Sequence, residues 1–374
     1  MQLGDLCEVL DYKRKPITKK DRVAGTYPYY GATGVLDFVE GFLFDEPLVL
    51  VGEDGAKWGS GDSTAFAVEG KIWVNNHAHV LKPDRNILLD SWLIYHLNHL
   101  DLTQFISGLT VPKLNQGSLR GIAVPLPPIS EQQRIVGILD EAFAGIATAK
   151  ANAEKNLQNA RQVFKAQLTA VFNDNLGEFI QLEKLFDIGS SKRVLKSEWK
   201  SAGVPFYRGR EVTRLAADGC VDNELFISDE HYARLAGIAG VPSSGDIVVT
   251  AIGTIGNAYV VKNNDRFYFK DASVLWMKRV SDISSEFVSY WIRSSAFHDQ
   301  LDRGNGATVD TLTIAKLKSL EIPVLSEYEQ LRRVEELRSF EQETQRLESI
   351  YQRKLAALDA LKQSLLHQAF SGQL

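Results

Sequence analysis

Residues able to do chemistry are sparse in this sequence. His77 and His79, in the stretch NNHAHV, have the spacing of alternate strand positions and could share one face of a sheet, as a metal pair requires. A metal needs a third ligand, and a related stretch further along offers Asp271 and Ser273 instead. Packing or hydrogen bonding beside a binding surface is the expected role of the two histidines. The glycines of AIGTIGNA (251–258) suggest a phosphate cradle, but no helix opens after them, so a tight β-turn is expected. The acidic pair Glu53–Asp54 has no counterpart in the second half of the chain, and Cys7 and Cys220 lack matching partners and read as packing residues. There is no G-x-x-x-x-G-K-[ST] loop, no G-x-G-x-x-G after a strand and no H-E-x-x-H. No catalytic constellation emerges.

The elements that must position any site are repeated. TVPKLNQGSLRGIAVPLPPISEQQR (110–134) has a near-double, TVDTLTIAKLKSLEIPVLSEYEQLR, at 308–332, in which T-V, two leucines, a proline and E-Q-x-R recur 198 residues further on. The same offset maps Leu139 to Leu337, Leu157 to Leu355, Leu168 to Leu366, Phe172 to Phe370 and Leu176 to Leu374. Earlier landmarks recur with shifted spacing. YPYYGATGV (27–35) answers VPFYRGREV (204–212), EPLVLVGEDG (46–55) answers SGDIVVTAIG (244–253), and NHAHVL (76–81) answers KDASVL (270–275). The chain is two copies of one unit, a variable part followed by a helical part.

In the first helical part, apolar residues fall in steps of three and four at Ile135, Leu139, Ala142, Ile146, Ala149, Ala153, Leu157, Ala160, Phe164 and Leu168. The second gives Leu337, Phe340, Thr344, Leu347, Tyr351, Leu355, Leu358, Leu361 and Leu365. Prolines precede both, at Pro127–Pro128 and Pro323, and a capping box opens each: Ser130 with Gln133, Ser326 with Glu329. Each helix should run for about 40 residues, ~60 Å. One apolar stripe on so long a helix needs a partner, and the simplest is its copy; each helix packing on its own domain is the other arrangement. A pseudo-twofold relation between the units would make the pair antiparallel. The variable parts combine β-rich runs (PLVLVG, DIVVTAIG) and Gly-rich turns with a closing helix, DSWLIYHLNHL (90–100) or SSEFVSYWIRSSAF (284–297), which is an α+β domain.

A chain of 374 residues suits two domains, and its two cysteines fit a reducing compartment. With no apolar run of ~18 residues and no signal peptide at the start, it reads as cytoplasmic. The net charge of −5 does not by itself exclude nucleic acid, because clustering matters more than the sum. Two basic runs stand out: Lys13, Arg14, Lys15, Lys19, Lys20 and Arg22, and a second between Ser190 and Leu215 that includes Arg208 and Arg210.

Together these stretches resemble the specificity (S) subunit of type I restriction–modification systems. PLPPISEQQRIVGILD is similar to the family's junction between a target recognition domain and a conserved helix, and LKQSLLHQAFSGQL to its C-terminus. YYGATG with LVLVGEDGA and WVNNHAHVL resembles one type of recognition domain; FYRGREV with GDIVVTAIGTIGN and FYFKDASVLW resembles another. The resemblance implies recognition domains at 1–127 and 176–325 and spacer helices at 128–175 and 326–374, the helices forming an antiparallel coiled coil. It implies a non-catalytic subunit that reads a split DNA sequence. Two methyltransferase subunits would dock on it, joined in the restriction complex by two motor–nuclease subunits. No cofactor is expected on this chain; S-adenosylmethionine, ATP and Mg belong to the partners.

For DNA contact the residue types favour Tyr30, Thr33, Lys57, Trp58, Asn75, Asn76, Lys113, Asn115 and Gln116 in the first unit. In the second they favour Arg208, Arg210, Thr254, Lys270, Thr308 and Thr311, while Tyr29 and Phe206 are expected in the core. Competing readings are a DNA-modifying enzyme with fused specificity domains, and a duplicated coiled-coil scaffold that binds protein.

Overall fold

The computed structural model describes residues 1–108, 110–173, 177–302 and 311–374. Leu176 and Thr308, singled out above, lie outside the described residues. The chain divides into two compact units, residues 1–155 with 351–374, and residues 156–350. Each unit therefore holds part of both long helices, Ile129–Asn173 and Glu327–Phe370.

Each unit is built on the same four-stranded antiparallel sheet. In the first the strands stand in the order Cys7–Val9, Ala78–Pro83, Leu48–Gly52, Ala65–Val68. In the second the order is Phe186–Gly189, Val274–Arg279, Ile247–Thr250, Ala258–Val260. The central strands Leu48–Gly52 and Ile247–Thr250 are wholly buried, which is why they read as continuous apolar runs rather than as alternating ones. A second sheet, of four strands in the first unit and three in the second, contains a parallel pair, with Tyr29 opposite Trp73 in one and Phe206 opposite Tyr268 in the other. Tyr29 and Phe206 are both buried, as expected.

After that parallel strand the copies diverge. In the first unit Ala24–Gly31 turns back as a hairpin with Gly34–Val39. In the second, Val204–Tyr207 leads into a helix, Gly209–Asp218, and a further helix follows at Asp229–Ala239. Neither helix was expected. The first begins where Glu211 returns a hydrogen bond to the Arg208 N–H (2.9 Å) and stops at Gly219, whose φ of 72° suits glycine.

The long helices run antiparallel inside each unit. In the first unit Lys150 meets Asp359 (2.7 Å), and Ile135 and Leu139 share a core with Leu366 and Ala369. In the second Arg161 meets Glu348 (3.2 Å), Gln167 donates to Glu336 (2.7 Å) and Arg333 donates to the Val171 carbonyl (2.6 Å). None of the residues assigned to the first helix's stripe is exposed. Two assigned to the second, Phe340 and Leu361, are exposed, because the contact seam passes through neighbouring positions instead. Ser130 lies inside its helix, with Pro128 supplying the first acceptor, and so does not cap it. Ser326 does cap, accepting from the Glu329 N–H (3.3 Å), but Glu329 turns to Arg332 (2.9 Å) rather than completing a box.

The glutamine of E-Q-x-R joins helix to domain. Gln132 is fully buried: its Oε1 accepts from the Leu89 N–H (3.0 Å) at the start of helix Asp90–His99, and its Nε2 donates to the carbonyls of Ile87 (2.8 Å) and Pro127 (2.9 Å). Gln330 repeats this, accepting from the Ser284 N–H (2.8 Å) ahead of helix Ser285–Ile292 and donating to Leu325 (2.8 Å). The opposite end of the other long helix then covers the same domain helix. Phe370 packs on Trp92 at 4.7 Å between ring centroids and Phe172 on Phe287 at 5.1 Å.

Replacing Gln132 by Ala strands one buried N–H and two carbonyls, so the unfolding free energy of the full chain should fall by about 2 kcal/mol. Gln330→Ala should cost a similar amount. Urea unfolding followed by tryptophan fluorescence measures both, and a loss below ~0.5 kcal/mol would show that the joint is held by apolar packing alone.

Candidate nucleic-acid interface

In the first unit the turn at Ala32–Thr33, the loop from Glu53 to Trp58, the turn at Asn75–His77 and the segment Lys113–Gln116 meet at the edge of the main sheet. Backbone hydrogen bonds fix them: Leu114 N–H to Glu53 O (2.8 Å), Glu53 N–H to His77 O (2.8 Å) and Asn75 N–H to Tyr30 O (3.0 Å). Beneath these loops lies a buried ionic hub. The Glu53 carboxylate takes Lys113 at 2.7 Å and also Arg14, whose guanidinium donates to the Ala78 carbonyl (2.7 Å). His79, with no exposed surface, donates from Nε2 to the Leu114 carbonyl (2.7 Å) and pairs through Nδ1 with Asp11 (2.6 Å). Burial raises the Asp11 and Glu53 carboxyls. On Asp11 the hydrogen bond and charge of His79, the Val80 N–H and the charge of Arg14 together outweigh it, as do the hydrogen bonds of Lys113 and Arg14 with the charges of His79 and Arg14 on Glu53, and both carboxyls lie below their ordinary values.

Asp11, Glu53 and His79 present ligand atoms within 4.8 Å of one another. A cation there would have to displace Arg14 and Lys113 from Glu53 and break the bond between His79 Nδ1 and Asp11. The arrangement is that of a structural network tying four chain segments together.

The second unit has the same backbone frame. Leu312 N–H bonds Ala251 O (2.7 Å), Ala251 N–H bonds Ser273 O (3.0 Å) and Lys270 N–H bonds Tyr207 O (2.8 Å). The bridge between Asp54 and Lys113 recurs between Ile252 and Thr311, 198 residues on. The side chains differ throughout. Ladder registers make Leu275, not Ser273, the second unit's equivalent of His79: Val51 faces His79 and Val249 faces Leu275. The earlier pairing of the histidine stretch with KDAS was thus out by two positions. A different carboxylate organises this site. Glu211, buried, receives Arg208 at 2.8 Å and Arg210 at 2.9 Å, and Arg210 also reaches Glu224 (3.0 Å). Burial raises the Glu211 carboxyl, but the hydrogen bonds of Arg208 and Arg210 bring it down to about 2. Ala251–Gly256 forms a hairpin loop longer than the tight β-turn expected, closed by the Thr250 N–H to the Asn257 carbonyl (3.0 Å) and with positive φ at Gly253 (78°) and Gly256 (90°).

Most of the residues proposed to touch DNA stand on these two edges. Thr33, Lys57, Asn76, Asn115 and Gln116 are exposed in the first unit, as are Arg210, Thr254, Lys270 and Thr311 in the second. Tyr30, Lys113 and Arg208 are half-buried. Two do not offer their side chains. Asn75 is 2% exposed, with its Oδ1 accepting from the His77 N–H (2.8 Å), and the Trp58 ring N–H is taken by the Gly52 carbonyl (3.2 Å). Both shape the loops from within. His77 pairs with Asp54 and His79 is structural. Cys7 is buried, but Cys220 is exposed and packs nothing.

The family model for the type I restriction modification DNA specificity domain matches residues 1–158 and 177–354. The chain belongs to that family. It is 30% identical over 346 residues to a Haemophilus influenzae protein named as type I restriction enzyme specificity subunit S.HindORF215P, covering 91% of this chain and 86% of the relative. The EcoDI specificity subunit of Escherichia coli is 25% identical over 390 residues, covering 94% and 83%. Its fold matches a chain from a structure on assembly and conformational transition of the type I R-M system (TM-score 0.76, 17% identity, 100% of this chain and 97% of the other). It also matches the HsdS subunit from Thermoanaerobacter tengcongensis (TM-score 0.59, 16% identity, 100% and 96%).

As a specificity subunit the chain is non-catalytic; methylation and cleavage are the work of its partners. Asp11, Arg14 and Glu53 are residues of this specificity subunit that sequence reasoning missed as organisers of the first site, whereas His79 makes the hydrogen bonds expected of it there. Arg14 was visible only as one charge in a basic run.

Because Glu211 titrates low, the stability its pairs contribute is complete above the ordinary glutamate value of 4.5 and is lost as pH falls from there toward 2. Glu211→Gln should therefore cost about 1.5–3 kcal/mol at pH 7. The gap between variant and wild type should narrow as pH drops below 4.5. Urea unfolding across that range checks both the size and the direction.

Proposed function

We propose that this specificity subunit reads an asymmetric, bipartite DNA target, one half-site through each unit, and that the two long helices set the unread spacer. The observation that carries the reading is the duplicated backbone frame with divergent side chains. The hydrogen bonds Leu114 to Glu53 and Leu312 to Ala251 are 198 residues apart, yet they hold up an ionic hub in one copy and an arginine–glutamate cluster in the other. A common frame with different readers is what a target of two unlike halves requires. Two methyltransferase subunits dock on the helices, binding S-adenosylmethionine and methylating adenine. Two motor–nuclease subunits, using ATP and Mg, complete the restriction complex in the cytoplasm. The partners supply much of the phosphate neutralisation, which accommodates a subunit of net charge −5.

Base-resolution mapping of methylated adenines in a host carrying the system should return one split motif methylated on both strands. A contiguous palindrome, or no adenine methylation, would refute the reading. The spacer has its own test. A heptad inserted after Ala153, with a matching one after Tyr351, adds ~10 Å of helix, or about three base pairs of DNA at ~3.4 Å each. The methylated motif should lengthen by that amount, and an unchanged spacer would rule out the helices as the ruler.

A further inference from the structure

The hairpin of the first unit contains an irregularity beside the proposed DNA-reading edge. Tyr29 pairs with Asp37 and Tyr30 with Val35, so Leu36 has no partner across the ladder and forms a β-bulge. A bulge breaks the alternation of in and out along a strand and re-aims side chains, and bulges favour positions next to functional sites. Here it leaves two consecutive apolar residues exposed, Val35 at 46% and Leu36 at 52%.

Leu36 lies over Gly31: its Cδ1 is 2.5 Å from where a Cβ on Gly31 would stand, and the Asn75 amide nitrogen is 3.4 Å from the same point. The bare glycine lets the leucine lie flat against this wall. Gly31 follows Tyr30, whose carbonyl bonds the Asn75 N–H, so Leu36 rests on the wall of the same edge that carries Thr33 and Asn76. An exposed leucine would ordinarily be mobile and need no explanation. One seated over a glycine, re-aimed by a bulge and set among polar side chains is placed for an apolar contact. The second unit has nothing similar at this point, because its matching strand runs through Arg208 into a helix.

On the major-groove edge of B-DNA the apolar group is the 5-methyl of thymine, and apolar side chains read it. We propose that Leu36, flanked by Val35, reads a thymine methyl in the half-site bound by the first unit. This rests on the bipartite reading above and adds to it a base identity that the polar residues cannot supply.

The test uses the complex of this chain with its methyltransferase subunits and the split target found by methylation mapping. Each thymidine of both half-sites is replaced singly by deoxyuridine, which removes only the methyl. Wild type should lose about fourfold in affinity, the worth of one buried methyl, at one position or two adjacent ones in a single half-site. Leu36→Ala should bind the thymidine and deoxyuridine versions equally, and Leu36→Met should keep the difference. An unchanged loss of affinity on base-pair substitution in the other half-site shows that the variants are folded. Specific binding with no uridine-sensitive thymidine, a half-site pair without thymine, or a full methyl effect retained in Leu36→Ala would each overturn the proposal while leaving the bipartite reading intact. Absence of any specific binding to a split target would overturn both.

Discussion

Two buried carboxamides and two phenylalanines make this chain's duplication structurally necessary. The helix that closes each recognition domain receives Gln132 or Gln330 at its start, from the long helix that follows it in sequence. Its flank receives Phe370 or Phe172 from the end of the long helix belonging to the other copy. A single copy of the repeat would leave Trp92 or Phe287 without its aromatic cover and a long helix with an unpaired apolar stripe, and burial of such stripes is what stabilises long helices in water. Antiparallel pairing follows, because the beginning of one helix and the end of the other must meet on the same domain. The buried amide adds direction to what apolar packing leaves loose. A slip of one residue along the helix would leave Gln132 facing the core without partners for its donors and acceptor.

How far this was readable from sequence depends on whether the signal was local. The helix stripes, the T-V and E-Q-x-R landmarks and the buried apolar strands are periodic or repeated, so they could be recognised without knowing what they touch. Helix Asp229–Ala239 was also readable: Ser228 caps it, two acids fill its first turn and Gly240 ends it. It was missed because it falls between VPFYRGREV and SGDIVVTAIG, where the first copy offers no counterpart. The Gly209–Asp218 helix was hidden because VPFYRGREV was laid over YPYYGATGV, which the structure shows turning back as a hairpin. Partnerships distant in sequence were out of reach. Arg14 meets Glu53 across 39 residues and His79 meets Asp11 across 68, so in one dimension each resembles a solvated charge. The stripe of the second helix failed at Phe340 and Leu361 because steps of three and four allow neighbouring paths, and only the packing partner selects between them.

The two edges share one electrostatic device despite having no residues in common. Each has a buried carboxylate held ionised by two cations, Glu53 by Arg14 and Lys113 from distant parts of the chain and Glu211 by its sequence neighbours Arg208 and Arg210. Such a carboxylate is costly to desolvate and is tolerated only when its partners are fixed, so it orders Lys113 in one unit and Arg208 and Arg210 in the other before any DNA arrives. The same pairing neutralises those cations internally. On the proposed reading they would donate directional hydrogen bonds to bases while adding little net attraction to phosphate, so that discrimination would rest on geometry more than on charge in a chain of net charge −5. The pairing also explains why the frame can be copied while the side chains on it change. The repeated hydrogen bonds are between backbone atoms, and the carboxylate with its cations can be relocated around them without disturbing a strand.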